Sequence, residues 1–199
     1  MVETTKEKIL EAAEKVFLTK GMDGARMQEI ADEAGINKSL LHYYFKDKET
    51  LFAAIFGEAI KQIVPAMAFV MGSDRPLMEK IPDFFRIHMG FIQQNPMIPQ
   101  FIMIEAKRNP QLLIKGFSRI KEIGAFQKFE HMVKDSIAKG EISPIEPIDL
   151  LINMISLSVF PFIARPILMG FLNMTDEQYD QMLETRKTTT ASFIVNSLT

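Results

Sequence analysis

The stretch from Met27 to Phe52, MQEIADEAGINKSLLHYYFKDKETLF, constrains this chain more than any other. Small or apolar residues recur at helical spacing at Met27, Ile30, Ala31 and Ala34. Gly35 interrupts them, and a second short helical run follows in which Leu41 faces back. That pattern is a helix-turn-helix. Two short helices that cross steeply need a small side chain where they touch, which Ala31 supplies, and a corner residue that accepts positive φ, which Gly35 supplies. Ile30, Ile36 and Leu41 then close a small shared core, and Asn37 fits the N-cap of the second helix.

With about 100° of rotation per residue from a buried Leu41, Ser39 and Tyr43 point outward, Leu40 and His42 flank them, and Lys38 leads. An outward surface of Leu, His and Tyr is costly to leave in water and suits a helix that meets a partner. On a recognition helix these positions enter a DNA major groove, N-terminal residues first. Spacing alone leaves a second reading open, a solvated helical hairpin inside some other all-helical protein.

The run Ile30-Ala31-x2-Ala34-Gly35-Ile36-x-Lys38, then Leu41-His42-Tyr43-Tyr44-Phe45-x2-Lys48-Glu49-x-Leu51-Phe52, closely resembles the DNA-binding signature of the TetR family of transcriptional regulators. The likeness runs from Lys6 to Phe52; beyond it only length and helical character agree. It implies an all-α chain: a three-helix DNA-binding domain over 1–46 and a larger helical domain over 47–199 for ligand binding and dimerisation. Position by position it implies that Lys38, Ser39, Leu40 and Tyr43 face base edges and that His42, Tyr43 and Tyr44 reach the backbone. Lys48 is expected to contact a phosphate, with Gln28 as a further contact. There are departures. Leu40 stands where the family often has Thr, His42 where it often has Tyr, and Arg26 where it commonly has Thr or Ser. Arg26 thus exchanges a hydroxyl cap for a longer-reaching cation. Asp47 is placed to cap a fourth helix, and a helix N-terminus beside Lys48 suits a phosphate.

Charge runs against this reading in bulk. The chain carries −2, and its first 52 residues hold eight Lys and Arg against ten Asp and Glu. A basic footprint for DNA must therefore be local. From Asn37 to Lys48 there are three Lys and one Asp, with Arg26 expected to join them. The absence of Cys excludes disulfides, thiolate metal sites and Cys nucleophiles. The charged N-terminus lacks an export signal, so the cytoplasm is the expected location. The longest uncharged apolar stretch, 150–164, has 15 residues, short of the roughly 20 a membrane span needs, so no membrane is expected.

Along the rest of the chain, Thr4 and Glu7 form a capping box for a first helix that Gly21 ends. The fourth helix is apolar along one side until Pro65, where a kink or stop is expected. Further helices are expected over 74–94, to Arg108, over 110–140, over 148–162 with interruptions at Pro161 and Pro166, and after Thr175, about nine in all without strands. The helix over 148–162 is apolar nearly all round, which leaves a face for a second copy after the last helix covers it. The family resemblance likewise places a homodimer on the last two long helices.

The chain has 14 Met and 16 Phe, residues that line adaptable apolar pockets and also fill ordinary cores. Phe84, Phe85, His88, Met89 and Met103 are the candidate ligand-binding residues, with Glu105, His131 and Asn153 as polar company for His88. The competing reading of His88 is a satisfied core histidine. The three His lie far apart without metal-like spacing, and no cofactor is called for. The expected function is a ligand-responsive regulator, a repressor binding a palindromic DNA operator as a homodimer and released by a small apolar or amphipathic effector. Two other classes compete. An enzyme is disfavoured because no Ser-His-Asp grouping, paired carboxylates, phosphate loop or HExxH is present. A helical scaffold would use the aromatic surface at 40–44 to bind protein.

Overall fold

The computed structural model describes residues 4–108, 110–122 and 124–199, without the side chains of Ile60, Phe101, Glu105, Arg108, Leu112, Lys115 and Arg119. Among these residues there are twelve helical segments and no strand. They are α1 (Thr5–Gly24), α2 (Met27–Glu33), α3 (Lys38–Tyr44), α4 (Lys48–Met71), α5 (Leu77–Gln94), α6 (Met97–Arg108), α7 (Pro110–Gly116), α8 (Ser118–Glu122), α9 (Ala125–Ala138), α10 (Pro147–Ile163), α11 (Arg165–Leu172) and α12 (Asp176–Leu198).

The chain is all-α as expected, but divided into more helices than the sequence pattern suggested. The helix expected over 110–140 is broken at Phe117 and again at Gly124, whose φ of +64° no continuing right-handed helix accepts. The run after 148 bends by 63° between α10 and α11. Pro166 has no N–H for the carbonyl four residues back, so it opens a new helix.

Two other prolines do less than expected. Pro65 lies inside α4, which continues to Met71, because the carbonyl it strands belongs to exposed Lys61, where water can reach it. Pro161 lies inside α10. It strands the Leu157 carbonyl, which accepts a hydrogen bond from the Arg186 guanidinium at 3.2 Å instead. The carbonyl of Pro161 itself takes the buried Tyr179 hydroxyl proton at 3.1 Å.

Contacts divide the chain into two units, residues 1–61 with 100–116, and residues 62–99 with 117–199. The division expected at 46 falls inside the first unit, which includes the beginning of α4. In that unit α1 packs on α2 and α2 on α3. Ile9, Phe17, Ile30, Ala31, Leu41, Leu51 and Phe52 are buried there, with the Phe17 and Phe52 rings 5.6 Å apart. By length and hydropathy α4 also passes as a membrane-crossing segment. Its Leu51, Phe52, Ile55 and Phe56 are buried in this unit, and 24% of its apolar window is buried in all.

The second unit is built on α5 and α12 with α9 and α10 packed around them. Ile81, Phe85 and Met89 of α5 meet Leu150 and Met154 of α10 and Tyr179, Leu183 and Ile194 of α12 in one core. Thr175 caps α12 as expected, accepting from the Gln178 N–H at 3.3 Å while the Gln178 side chain accepts from its own N–H at 2.9 Å. The helix expected to be apolar nearly all round keeps an apolar face in water beyond the one it buries. Ile148, Ile152, Ile155 and Phe160 of α10 are exposed, as are Ile167 and Phe171 of α11 and Phe193 of α12.

Candidate nucleic-acid interface

The corner between α2 and α3 is built by backbone hydrogen bonds. Gly35, at φ +66°, sends its N–H to the Asp32 carbonyl at 3.1 Å, and Ile36 sends its own to Ala31 at 3.0 Å. This double closure satisfies the last carbonyls of α2 and requires a left-handed residue at 35. A Cβ on Gly35 would meet nothing within 4 Å, so backbone conformation, not space, demands the glycine. Asn37 then accepts the Leu40 N–H on its side-chain oxygen at 2.8 Å and starts α3 in the expected way.

On α3, Leu41 is fully buried, whereas Lys38, Ser39, His42 and Tyr44 are exposed and Leu40 is partly buried. Tyr43 is 82% exposed, its ring edge-on to that of Tyr44 at 5.4 Å. His42 Nδ1 lies 3.0 Å from the Lys46 carbonyl oxygen. A carbonyl only accepts, so Nδ1 carries the proton and Nε2 is left as an outward acceptor in the neutral ring.

The acidic residues of α2 are engaged within the unit. Glu33 pairs with Lys15 at 3.3 Å, Glu29 pairs with Lys20 at 2.9 Å, and Asp32 accepts from the Gln28 amide at 2.8 Å. The Lys20 hydrogen bond, with help from the Arg26 N–H, holds the Glu29 carboxyl below the usual carboxylate range. Arg26 occupies the N-cap of α2 with no side-chain cap bond, as its lost hydroxyl implies, and its side chain is exposed. Neither Lys38 nor Lys46 forms a salt bridge among the described residues. Two of the acidic charges of α2 are thus paired with lysines, while Lys38 and Lys46, without such a pair, sit at the two ends of α3.

Asp47 caps α4, accepting from the Thr50 N–H at 2.7 Å and from its hydroxyl, and these bonds keep its carboxyl below the usual range. Lys48 turns inward. Its ammonium donates to the carbonyl oxygens of Met22 at 2.7 Å and Asp23 at 3.3 Å.

Of the residues expected to bind a ligand, Phe84 lies against Phe85 and stacks on His88. Phe84, Phe85 and Met89 are buried in the second core, Met103, His131 and Asn153 are exposed, and the side chain of Glu105 lies outside the described residues. His88 is satisfied by a residue that sequence reasoning did not pair with it. Its Nδ1 is 2.8 Å from the Ser158 hydroxyl, which spends its one proton on the Ile155 carbonyl at 2.9 Å, so Nδ1 is the donor. The ring stacks on Phe84 at 5.2 Å, and withdrawal from water lowers its pKa to about 4. Lys80 was also missed, although its place in the series Leu77, Lys80, Ile81 and Phe84 marks it as core-facing. It is 4% exposed, donates to the Met71 carbonyl at 3.2 Å and lies 3.1 Å from the Met132 sulfur.

The second unit has a cleft of about 270 Å³ between the end of α4 and α5, lined by Ile63, Ala66, Ile87, Gly90 and Phe91 with Arg86 at its rim. Among the described residues no three His, Asp or Glu are grouped to hold a metal ion.

A short capped helix presented on a glycine corner, braced by a longer helix and followed by a helical second unit, defines a helix-turn-helix transcriptional regulator. Residues 9–55 match the family model for bacterial regulatory proteins of the tetR family. The chain is 28% identical over 156 residues to the uncharacterized HTH-type transcriptional regulator YhgD of Bacillus subtilis, covering 71% of this chain and 74% of that one. It is 42% identical over 55 residues to the HTH-type transcriptional repressor BepR of Brucella suis, covering 28% of this chain and 26% of that protein. The fold is similar to that of the transcriptional regulator FadR from Bacillus subtilis, solved in complex with stearoyl-CoA. The TM-score is 0.71 at 17% identity, over 96% of this chain and 98% of that one. Residues 9–55 thus carry the DNA-binding domain of the TetR family of transcriptional regulators, and the whole chain is similar in fold to members of that family.

Proposed function

We propose that this regulator is a ligand-responsive repressor that binds a palindromic operator as a homodimer and is released by a small apolar or amphipathic effector. The single observation that carries the DNA-reading half is the orientation of α3, with Leu41 buried and Lys38, Ser39, His42 and Tyr43 outward. In this reading residues 1–46 read DNA and 47–199 regulate. Lys38, Ser39, Leu40 and Tyr43 meet base edges, Leu40 through an apolar contact to a thymine methyl group. Arg26, Gln28, His42 and Tyr44 reach the phosphate backbone.

Two copies are needed for a palindrome, because recognition helices about 34–36 Å apart match successive major grooves on one side of the duplex. The exposed Ile148, Ile152 and Ile155 of α10 and Phe193 of α12 support a pairing through these two long helices. The name of BepR supports repression, and stearoyl-CoA bound to FadR supports an amphipathic effector. The cleft along α5 is the effector's proposed seat, on a different face of that helix from Phe84, Phe85, His88 and Met89. An effector there acts only through unequal affinity for the DNA-binding and released states. The protein works in the cytoplasm.

The test is a set of gel shifts at several salt concentrations, using a duplex that the wild-type chain selects from a random pool. Tyr43→Ala should weaken binding at every salt, and Lys38→Ala should weaken it most at low salt. Unchanged affinity in both variants would remove this reading.

A further inference from the structure

We propose that the cleft along α5 binds an unbranched medium-chain carboxylate, its apolar chain laid across Gly90 and its head group on Arg86, which it takes over from Asp83. The proposal rests on the reading of this cleft as the effector's seat, and it adds the chemical class of the ligand and the residues that read it.

Gly90 stands inside α5, where glycine destabilises a helix relative to alanine. Its φ is not positive, and a Cβ built on it would meet nothing within 4 Å. Neither backbone conformation nor the packing of the chain on itself therefore requires a glycine. What its missing side chain does provide is bare backbone on the floor of the cleft, with Ile63, Ala66, Ile87 and Phe91 around it. Bare helix backbone between apolar walls suits the close approach of an apolar chain. Arg86, Gly90 and Gln94 are spaced four residues apart, so they run along one side of α5 for about 12 Å. The cleft's volume of about 270 Å³ equals that of about nine waters at roughly 30 Å³ each. A chain of roughly eight to ten non-hydrogen atoms fits that length and volume, and a long acyl chain does not. Charge decides the head group. Arg86 donates to one oxygen of Asp83 at 2.6 Å, and Arg75 donates to the other at 2.7 Å. Two guanidiniums share one carboxylate, so the trio carries one positive charge in surplus at the Arg86 end of the cleft. The Arg86 side chain is 65% exposed and is free to turn to a second carboxylate. Asp83 keeps Arg75 when that happens, so the exchange leaves no carboxylate unpaired, and a bidentate guanidinium–carboxylate pair forms in its place. The far end of the cleft, at Gln62 and Gln94, offers amides without charge.

The experiment titrates the full-length chain with octanoate, 1-octanol and octylammonium by isothermal calorimetry. Octanoate should bind with a Kd at or below about 1 mM, and the other two at least roughly tenfold more weakly. Asp83→Asn removes the internal competitor for Arg86, so it should tighten octanoate binding by roughly threefold or more and leave 1-octanol binding unchanged. Arg86→Gln should reduce octanoate to the affinity of 1-octanol. Gly90→Leu should abolish binding of both, with a melting temperature no lower than that of the wild type, because the added side chain enters open space and the helix gains a better former. Equal affinity for octanoate and 1-octanol would overturn the proposal. So would an Asp83→Asn variant that binds octanoate no better, a Gly90→Leu variant that binds it as the wild type does, or no octanoate binding at all. Gel shifts with octanoate present separate this proposal from the effector reading beneath it. Octanoate bound with the expected pattern but without effect on a selected duplex would support the site and count against its role as the effector's seat. A duplex released by octanoate equally from wild type and Gly90→Leu would overturn the site.

Discussion

Helices α3 and α10 both leave apolar surface in water, and they do so in different chemical terms. Outward on α3 are Tyr43 and Tyr44, with hydroxyls and ring edges, between exposed Lys38 and Lys46. Outward on α10 are Ile148, Ile152 and Ile155, whose side chains have nothing to hydrogen-bond, beside exposed Asp149, Asn153 and Ser156. A polar, charged groove satisfies the first surface and not the second; an equally apolar face satisfies the second and not the first. Each helix thus carries in its choice of side chains a description of the partner proposed for it, duplex DNA for one and another copy of the chain for the other.

The contrast can be broken most sharply at Ile152. A Glu placed there by Ile152→Glu would have to be buried unpaired in the proposed dimer, so dimerisation should weaken at least roughly a hundredfold, as read by sedimentation equilibrium. A stable dimer in that variant would move the interface elsewhere. Next in size is an acid effect confined to the second unit. His88 is neutral in the fold, with its pKa lowered from 6.5 to about 4, so the unfolded chain takes up a proton that the fold refuses. Stability is therefore unaffected by this group above pH 6.5 and falls as pH drops toward 4, by up to about 3 kcal/mol. His88→Gln should flatten that stretch of the pH–stability curve, followed by chemical denaturation; a curve as steep as the wild type's would acquit the histidine. Tyr43→Ala should cost about 2 kcal/mol of operator binding, roughly thirtyfold, and leave the melting temperature unchanged because the ring is 82% exposed. The smallest effect is a coupling. Arg186→Met should cost about 1 kcal/mol of stability by orphaning the Leu157 carbonyl, and less when combined with Pro161→Ala, whose new N–H can serve that carbonyl. Strict additivity in the double variant would show that the arginine is not standing in for the proline's missing donor.

The first unit was legible because its signals are local. Thr4 with Glu7, Gly35, Asn37 and Leu41 each act within a turn or two of their own position, and each does what its spacing implies. The orientation of Lys48 was not legible, because it depends on where α1 ends in space, 26 residues earlier in the chain. In the second unit the caps were again readable, as Thr175 shows, and the long-range pairings were not. Ser158 meets His88 across 70 residues, and Arg186 rescues a carbonyl created by a proline on another helix. Prolines mislead for the same reason: whether Pro65 or Pro161 ends a helix depends on what can serve the carbonyl it strands, which is decided by packing and solvent.

The rung that Pro65 removes from α4 is the one that would join it to Lys61, the residue after which Gln62 begins the second unit. With that one bond absent and its carbonyl open to water, α4 bends there at less cost than along a fully bonded stretch.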